Sequence, residues 1–258
     1  MKDQLNRKLQ LKESPKRIVS LVPSQTELLV DLGLEISIVG VTKFCVHPTH
    51  LRMSKAVVGG TKQISIAKIK ALKPDIILCN KEENTKEIIE SLKDIAPIHI
   101  SDIYNIEDCF ELIKMYGEIF SVEAEASDLI KTIKNEREVF QLQFQHKKKL
   151  KVAYFIWKKP WMVAASDNFI NTMLKEAGFV NVFETEKRYP EIKLDDSNLK
   201  NADVIFLSSE PFPFKDNHVL ELQSKFPEKA ITIVDGEMFS WYGSRLLKSY
   251  VYFKNLQH

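Results

Sequence analysis

Short apolar runs alternate with amphipathic stretches along most of the chain. In the first half, the apolar runs predict strands at residues 17–22, 36–41, 56–58, 75–80 and 98–100. The amphipathic stretches between them predict helices at residues 24–33, 65–73, 83–93 and 106–120. Strands that alternate with helices in this way indicate a parallel sheet covered on both faces.

Residues 122–149 contain neither glycine nor proline and predict one long helix. Apolar residues recur there at spacings of three, four or seven, which places them on one helix face; they are Val122, Ala126, Leu129, Ile133, Phe140 and Phe144. Ser121 is the expected N-cap. At 1.5 Å per residue the helix would be roughly 40 Å long, so we interpret it as a strut between two lobes.

Beyond this helix the alternation starts again. It predicts strands at 152–157, 161–165, 203–209 and 231–236 and helices at 168–177, 197–200 and 244–256. The segments IKALKPDIILCN and SNLKNADVIFLSS share the order helix, aspartate (Asp75 or Asp203) and apolar strand, which favours an internal duplication. We therefore predict an α/β fold with two Rossmann-like lobes and parallel-rich sheets, residues 1–121 and 150–258, joined by the helix 122–149. A ligand cleft is expected between the lobes, at the carboxyl ends of the strands.

Several local signals refine the helix ends. Ser24 followed by Glu27 is typical of a capping box, and Gly33 is the expected stop of that helix. Ser65 is the expected N-cap of the helix that follows Gly59-Gly60, and Gly178 is the expected C-cap of the helix from residue 168.

Composition and charge narrow the functional class. Of the 258 residues 44% are hydrophobic, which is ample for packed cores, and 37 basic against 35 acidic residues give a net charge of +2. Because the charges are interspersed, there is no electrostatic case for nucleic acid or an anionic membrane, and the run Lys147–Lys149 is assigned to a helix end. The three cysteines, Cys45, Cys79 and Cys109, lack the number and spacing of a disulfide framework or zinc site.

Searches for catalytic and targeting motifs find none. The chain has no dinucleotide-type or P-loop glycine pattern, no GxSxG and no HExxH. Residues 1–22 lack the apolar core of a signal peptide, and no stretch has the length to span a bilayer. A compartment is therefore not assigned from these residues.

Candidate ligand-contacting residues follow the ends of predicted strands. Phe44, Cys45 and His47 follow the second strand; Cys45 and His47 could be two soft metal ligands, an incomplete set, or pocket-lining residues. Trp157 and Trp161 flank a strand connection, and Trp241 and Tyr242 lie on another strand-end loop. One such ring alone would be expected to pack in the core, but the set favours an aromatic-walled pocket.

Two further loops add aromatic and charged candidates. In SSEPFPFKDNH, prolines 211 and 213 indicate a stiff extended loop, with Phe212 and Phe214 either packed beneath it or facing a ligand. Glu210 there is a candidate acid, a ligand anchor or a rim residue. In DGEMFSWYGSRLL the candidates are Glu237, Phe239 and Arg245; Arg245 is poorly placed for the helix dipole, which a ligand anion, a partner carboxylate or a surface position would explain.

These motifs resemble the substrate-binding proteins of ABC importers for vitamin B12, iron-siderophore and haem, a class with two α/β lobes bridged by one long helix. The order of RIVSLVPSQTELLVDLG, IVGVTKFCVHP, IKALKPDIILCN, WKKPWMVAASDNFINTMLKEAGFVNVF, SSEPFPFK and DGEMFSWYGSRLL is similar to that of the vitamin B12-binding subgroup. The resemblance covers nearly the whole chain from Arg17.

The resemblance implies roles for a few residues. Phe44 matches an aromatic position that contacts the corrin, whereas Thr61 stands where B12 binders have a second stacking tryptophan. Asp195 matches an acidic residue that docks on the transporter, and Ala67 occupies the corresponding position of the first lobe.

The resulting expectation is a monomeric, non-enzymatic binding protein without an intrinsic cofactor or a bound metal of its own. Its ligand would be a corrinoid, then haem or a ferric siderophore, and its partner an ABC transporter permease. The resemblance implies a periplasmic or cell-envelope location, whereas residues 1–22 leave a cytoplasmic one open. The alternatives are an enzyme with two Rossmann-like lobes, glycosyltransferase-like or a metal-cluster protein, and a cytoplasmic corrinoid carrier.

Overall fold

The computed structural model describes residues 1–257, and the chain divides into two compact units. The first unit contains Met1–Ile103, Glu107–Asn135 and Trp241–Leu247. The second contains Tyr104–Ile106, Glu136–Ser240 and the chain from Lys248 onward. The long helix is therefore shared between the two units, and a short segment near the C-terminus returns to the first.

The first unit is built on a five-stranded parallel sheet in the order β3-β2-β1-β4-β5. Its strands are β1 (Ile18–Ser20), β2 (Ile38–Val41), β3 (Ala56–Val57), β4 (Ile76–Asn80) and β5 (Ile98–Ser101). Its helices are α1 (Pro23–Asp31), α2 (Leu51–Ser54), α3 (Ile66–Ala71), α4 (Lys86–Leu92) and α5 (Ile106–Phe120), with a 3-10 turn at Glu35–Ser37. The central strands β1 and β4 are fully buried, as the continuous apolar runs predict.

The N-terminal segment covers the free edge of this sheet. The Asp3 carboxylate accepts the backbone N–H groups of Leu5, Arg7 and Ile100, and Arg7 Nη2 donates to Ile98 O at 2.7 Å. This charged N-terminal segment therefore satisfies backbone groups of the edge strand β5. Those groups would otherwise be open to pairing with another chain.

The long helix is α6 (Glu123–Phe144), 22 residues, and it ends before the basic run. Its apolar stripe is confirmed, since Ala126, Ile133 and Phe140 are buried. The prediction of Ser121 as N-cap is wrong: Ser121 has φ 57° and Val122 O accepts the N–H of Ala126. Gly117 explains the sharp turn, because a Cβ atom there would lie 2.9 Å from the Cβ of Ala126.

The start of α1 also differs from its prediction. Its N-cap is Val22 and no side chain caps it, so the Ser24–Glu27 capping box is wrong. The other end signals are confirmed: Ser65 accepts from Lys68 N, and Gly33 and Gly178 have φ of 78° and 84° just beyond their helices.

The second unit carries a mixed sheet in the order β11-β10-β6-β7-β9, with β8 also paired to β6. Its strands are β6 (Lys151–Trp157), β7 (Trp161–Val163), β8 (Val180–Asn181), β9 (Glu191–Ile192), β10 (Val204–Ser208) and β11 (Ala230–Val234). Its helices are α7 (Phe169–Glu176), α8 (Ser197–Lys200), α9 (Asp216–Gln223), α10 (Glu237–Ser240) and α11 (Arg245–Leu256). Strands β6, β8, β10 and β11 pair in parallel, whereas β7 runs antiparallel to both neighbours. The predicted α/β class with parallel-rich sheets is confirmed.

In each of the two sheets, an aspartate just before a strand accepts backbone N–H groups at the start of the neighbouring strand. Asp75 precedes β4 and its carboxylate accepts the N–H groups of Lys16 and Arg17, each at 2.9 Å. Asp203 precedes β10 and accepts the N–H of Lys151 at 2.7 Å. Because each aspartate holds the start of the neighbouring strand, the structure supports the duplication that the sequence indicates.

Within residues 1–257, no helix has the length and apolar character to cross a bilayer.

Candidate functional site

The loop after β2 presents one aromatic ring to solvent and buries the residue beside it. Phe44 is 48% exposed, and Gly60 lies against its ring, since a Cβ on Gly60 would be 3.1 Å from Phe44 Cε2. The Lys43 ammonium lies 5.0 Å from the centroid of the same ring. Gly60 therefore creates the room in which this ring is held.

Cys45 anchors that loop from inside the first unit. Its Sγ lies 3.1 Å from Thr26 Oγ1 and 3.3 Å from Thr42 Oγ1, and its side chain is fully buried. Burial raises the pKa of this thiol, so it stays protonated. A buried neutral thiol is a poor metal ligand, and among residues 1–257 no three His, Cys, Asp or Glu side chains converge to hold a metal ion.

His47, from the same loop, packs against Trp241, and Trp241 in turn lies beside Arg245. Its ring meets Trp241 edge-on at 5.5 Å between centroids, and Arg245 Cζ lies 4.8 Å from the Trp241 ring centroid. Arg245 Nε donates to Glu27 Oε2 at 2.8 Å, with both side chains nearly fully buried. The sequence left three explanations open for Arg245, and the structure supports the second, a partner carboxylate, which is that of Glu27.

A buried polar network attaches the segment Trp241–Leu247 to the first sheet. Gln25 Nε2 donates to Tyr242 Oη at 2.9 Å and to Ser101 Oγ at 2.5 Å, and Tyr116 Oη donates to Gln25 Oε1 at 2.6 Å. Burial raises the pKa of both tyrosines, which keeps their hydroxyl groups as donors. Sequence reasoning missed this hydrogen-bond network, because its members come from four separate parts of the chain.

Asn84 ties three strand-end loops together in the first unit. Its Nδ2 donates to Thr61 O at 2.9 Å and to Leu21 O at 3.5 Å, and its Oδ1 accepts from Asn80 N at 2.9 Å. The loops that follow β1, β3 and β4 are thus fixed to one another. Thr61 contributes its backbone to this joint and its side chain is partly exposed. The signal in the sequence was an asparagine at each end of NKEEN, directly after a buried strand.

The second unit has its own aromatic cluster at the carboxyl end of β6. Trp157 is 39% exposed and meets Phe212 edge-on at 5.6 Å. Phe212 packs on Phe214 at 4.7 Å, and Phe214 is parallel to Trp161 at 6.2 Å and 7°. The two alternatives for the phenylalanines divide: Phe214 is buried beneath the loop, whereas Phe212 backs the exposed ring of Trp157.

Glu210 fixes the loop that carries Phe212. Ser240 Oγ donates to Glu210 Oε1 at 2.8 Å, and Ser208 Oγ donates to Glu210 O at 2.5 Å. Gly236 makes this possible, because a Cβ atom there would lie 2.7 Å from Glu210 Cγ. The carboxylate thus connects the β10 and β11 loops of one sheet edge.

The remaining predicted residues have different environments. Phe239 is fully buried among Tyr154, Phe206 and Phe253, at centroid distances of 4.9 to 6.2 Å, so we leave it out of the proposed ligand surface. Glu237 begins α10 and is partly exposed. Asp195 is exposed after β9, and Ala67 is exposed on α3.

Comparison with known proteins shows which family the chain matches. Residues 18–229 match the family described as periplasmic binding protein. An uncharacterized ABC transporter substrate-binding lipoprotein of Bacillus subtilis is 32% identical over 138 residues, which are 52% of this chain and only 43% of that relative. The vitamin B12-binding protein of Vibrio parahaemolyticus is 23% identical over 76% of this chain and 72% of its own length.

A solved structure shows the same fold. The periplasmic haem-binding protein of Pseudomonas aeruginosa superposes with a TM-score of 0.80, at 19% identity, over 94% of this chain and 92% of that one. The family match spans well over half of the chain. The chain therefore belongs to the periplasmic binding protein family.

Proposed function

We propose that the chain binds a large, planar metal chelate without altering it and delivers this ligand to an ABC importer. A corrinoid is the first candidate, followed by haem and ferric siderophores. The observation that carries the proposal is that each unit exposes an aromatic ring at the carboxyl ends of its strands, Phe44 in one and Trp157 in the other.

Both rings have the support that a preformed binding surface needs. Phe44 is held by the Cys45 anchor and by Gly60, and Trp157 by the stack of Phe212 and Phe214. Large rigid rings supply contact area at a low entropic cost, and the carboxyl ends of strands in α/β sheets are the usual location of ligands. His47 and Thr61 are partly exposed in the first unit and would contribute polar contacts.

The ligand class, the importer and the location also rest on relatives. One relative is named a vitamin B12-binding protein, a structural neighbour is a haem-binding protein, and another relative is an ABC transporter substrate-binding lipoprotein. We therefore propose an envelope location and docking on a permease through exposed Asp195. Ala67 offers no charge, so the first unit would dock through other groups.

Titration of the purified protein tests the proposal. We expect cyanocobalamin or haemin to quench tryptophan fluorescence at micromolar concentration, because Trp157 is exposed at the carboxyl end of β6, whereas Trp161 is partly buried and Trp241 is buried. The absorbance spectrum of protein purified without added ligand provides an independent measurement. Absence of both quenching and thermal stabilisation with cyanocobalamin, haemin and ferric chelates would contradict the proposal.

Substitutions identify the surface that binds. Phe44→Ala and Trp157→Ala should each weaken binding by roughly thirtyfold, which corresponds to about 2 kcal/mol for the loss of a central aromatic contact. Ile36→Ala and Val251→Ala are matched controls, since these side chains are 93% and 53% exposed and neither follows a strand's carboxyl end. Equal affinity of all four variants would remove both rings from the site.

A further inference from the structure

The amino edge of the second sheet carries a surface of lysines and branched apolar side chains. We call it the lysine patch, and its members are Lys147, Lys148, Lys149, Leu150, Lys151, Val180 and Lys200. All are exposed, with Leu150 at 41% and Val180 at 38%. Net charge of +2 over the whole chain conceals this local excess.

Strand pairing brings the patch together. Lys151 is the register partner of Val180, and Val180 N donates to Leu150 O at 2.9 Å. Asp203 N donates to Lys151 O at 2.8 Å, which places the residues before β10, including Lys200, beside this strand start. The patch therefore lies at the end of the second sheet opposite the aromatic cluster, which follows the carboxyl ends of the same strands.

Local structure does not explain the basic run, although Lys147 Nζ lies 5.8 Å from the centroid of the Phe144 ring. It was assigned to the last turn of the long helix, but α6 ends at Phe144, so Lys148 and Lys149 lie beyond the reach of its dipole. Within residues 1–257, Lys147, Lys148 and Lys149 form no ion pair. The nearby carboxylate of Asp203 accepts the N–H of Lys151 and offsets only part of the positive charge of the patch. A cluster of unpaired like charges costs stability through mutual repulsion.

We propose that the lysine patch binds the surface of an anionic phospholipid bilayer. Lysines supply flexible point charges that suit phosphate headgroups, and exposed Leu150 and Val180 can enter the boundary between headgroups and acyl chains. Protein interfaces instead favour arginine and aromatic residues and are poor in lysine, and the patch contains neither arginine nor an aromatic ring. This surface is separate from the ligand surfaces, so the second unit can bind lipid and present Trp157 at once.

Vesicle sedimentation with the full chain tests the proposal. We expect binding to vesicles of phosphatidylglycerol and phosphatidylcholine in a 1:3 ratio at low salt, none to pure phosphatidylcholine, and a steep loss as salt rises. Lys147→Gln/Lys148→Gln/Lys149→Gln should weaken binding on the order of a hundredfold, since each lysine near an anionic surface contributes about fivefold. Leu150→Ser should reduce the binding that persists at higher salt.

The control removes the same charge elsewhere. Lys70→Gln/Lys131→Gln/Lys193→Gln changes three exposed lysines outside the patch and should bind anionic vesicles as the unaltered chain does. An equal loss in this control, or no binding of the unaltered chain at low salt, overturns the proposal. Retention of polyglutamate by the patch without binding to vesicles also overturns it and assigns the surface to an acidic protein.

Discussion

The buried ion pair between Glu27 and Arg245 gives the sharpest quantitative prediction. Both side chains are within 4% of complete burial, and the pair joins α1 to the first turn of α11. Glu27→Gln removes the carboxylate that accepts the hydrogen bond of the buried guanidinium. Removal of one partner of a buried pair costs about 3–5 kcal/mol, so this variant should lose that much free energy of unfolding.

Replacement of both partners should cost far less. In Glu27→Leu/Arg245→Met no charge remains to be desolvated, and an apolar pair of similar volume is close to neutral or stabilising. The single variant should also shift the emission of Trp241, because Arg245 Cζ lies 4.8 Å from that ring. We expect weaker ligand binding in it as well, since Trp241 supports His47.

Urea denaturation followed by circular dichroism and tryptophan fluorescence measures these differences. Glu90→Gln is the matched control, because it makes the same chemical change in the solvent-exposed pair with Lys93, where little change in stability is expected. The reasoning is refuted if Glu27→Gln and Glu90→Gln are equally stable, or if the double apolar variant is as unstable as Glu27→Gln.

Two further predictions concern single buried positions. Burial lowers the pKa of His99 from 6.5 to about 4. As the pH falls, the imidazole is therefore protonated in the unfolded chain before it is protonated in the folded one. The free energy of unfolding should fall by about 3 kcal/mol between pH 7 and pH 4. His99→Leu should remove that part of the pH dependence, measured by urea denaturation at both pH values, and an unchanged slope would contradict this. Gly236→Ala should lower the free energy of unfolding by about 1–3 kcal/mol, because the added Cβ would clash with Ser208 Oγ and Glu210 Cγ. Gly33→Ala is the control, with a cost of about 1 kcal/mol from backbone strain alone; a smaller loss of thermal stability in Gly236→Ala than in this control would refute the clash.

The sequence predicts elements well where periodicity and local caps agree. The long helix, the strand starts and the helix ends at Gly33 and Gly178 depend on residues close in the chain, and the structure has them. The Ser24 capping box failed because Glu27 pairs with Arg245, 218 positions away, instead of with its own helix start. A local rule cannot anticipate a partner that only tertiary folding supplies.

The sequence predicts which loops follow the strand ends, but not how deeply each candidate side chain in those loops is buried. Strand ends identify the loops, yet the same loops expose Phe44 and bury Cys45, and they expose Trp157 while they bury Phe214. Which residue faces outward depends on hydrogen bonds such as that of Cys45 with Thr42, and on small neighbours such as Gly60. The role of Asn84 was not predicted, because its hydrogen bonds exist only after folding brings three strand ends together.

The shared aspartate anchors explain how two similar sheets can carry different chemistry. Asp75 and Asp203 hold the amino edge of each sheet through backbone groups alone, so they constrain neither the loops at the opposite edge nor the side chains beside them. In the first unit the carboxyl-edge loops are joined by Asn84, whereas in the second Glu210 joins two loops through Ser240. Because the anchor at Lys151 uses only its N–H, the side chains around it are free to differ from those near Arg17. That freedom is what allows the lysine patch to arise at the amino edge of one sheet without disturbing the ligand-facing loops at its other edge.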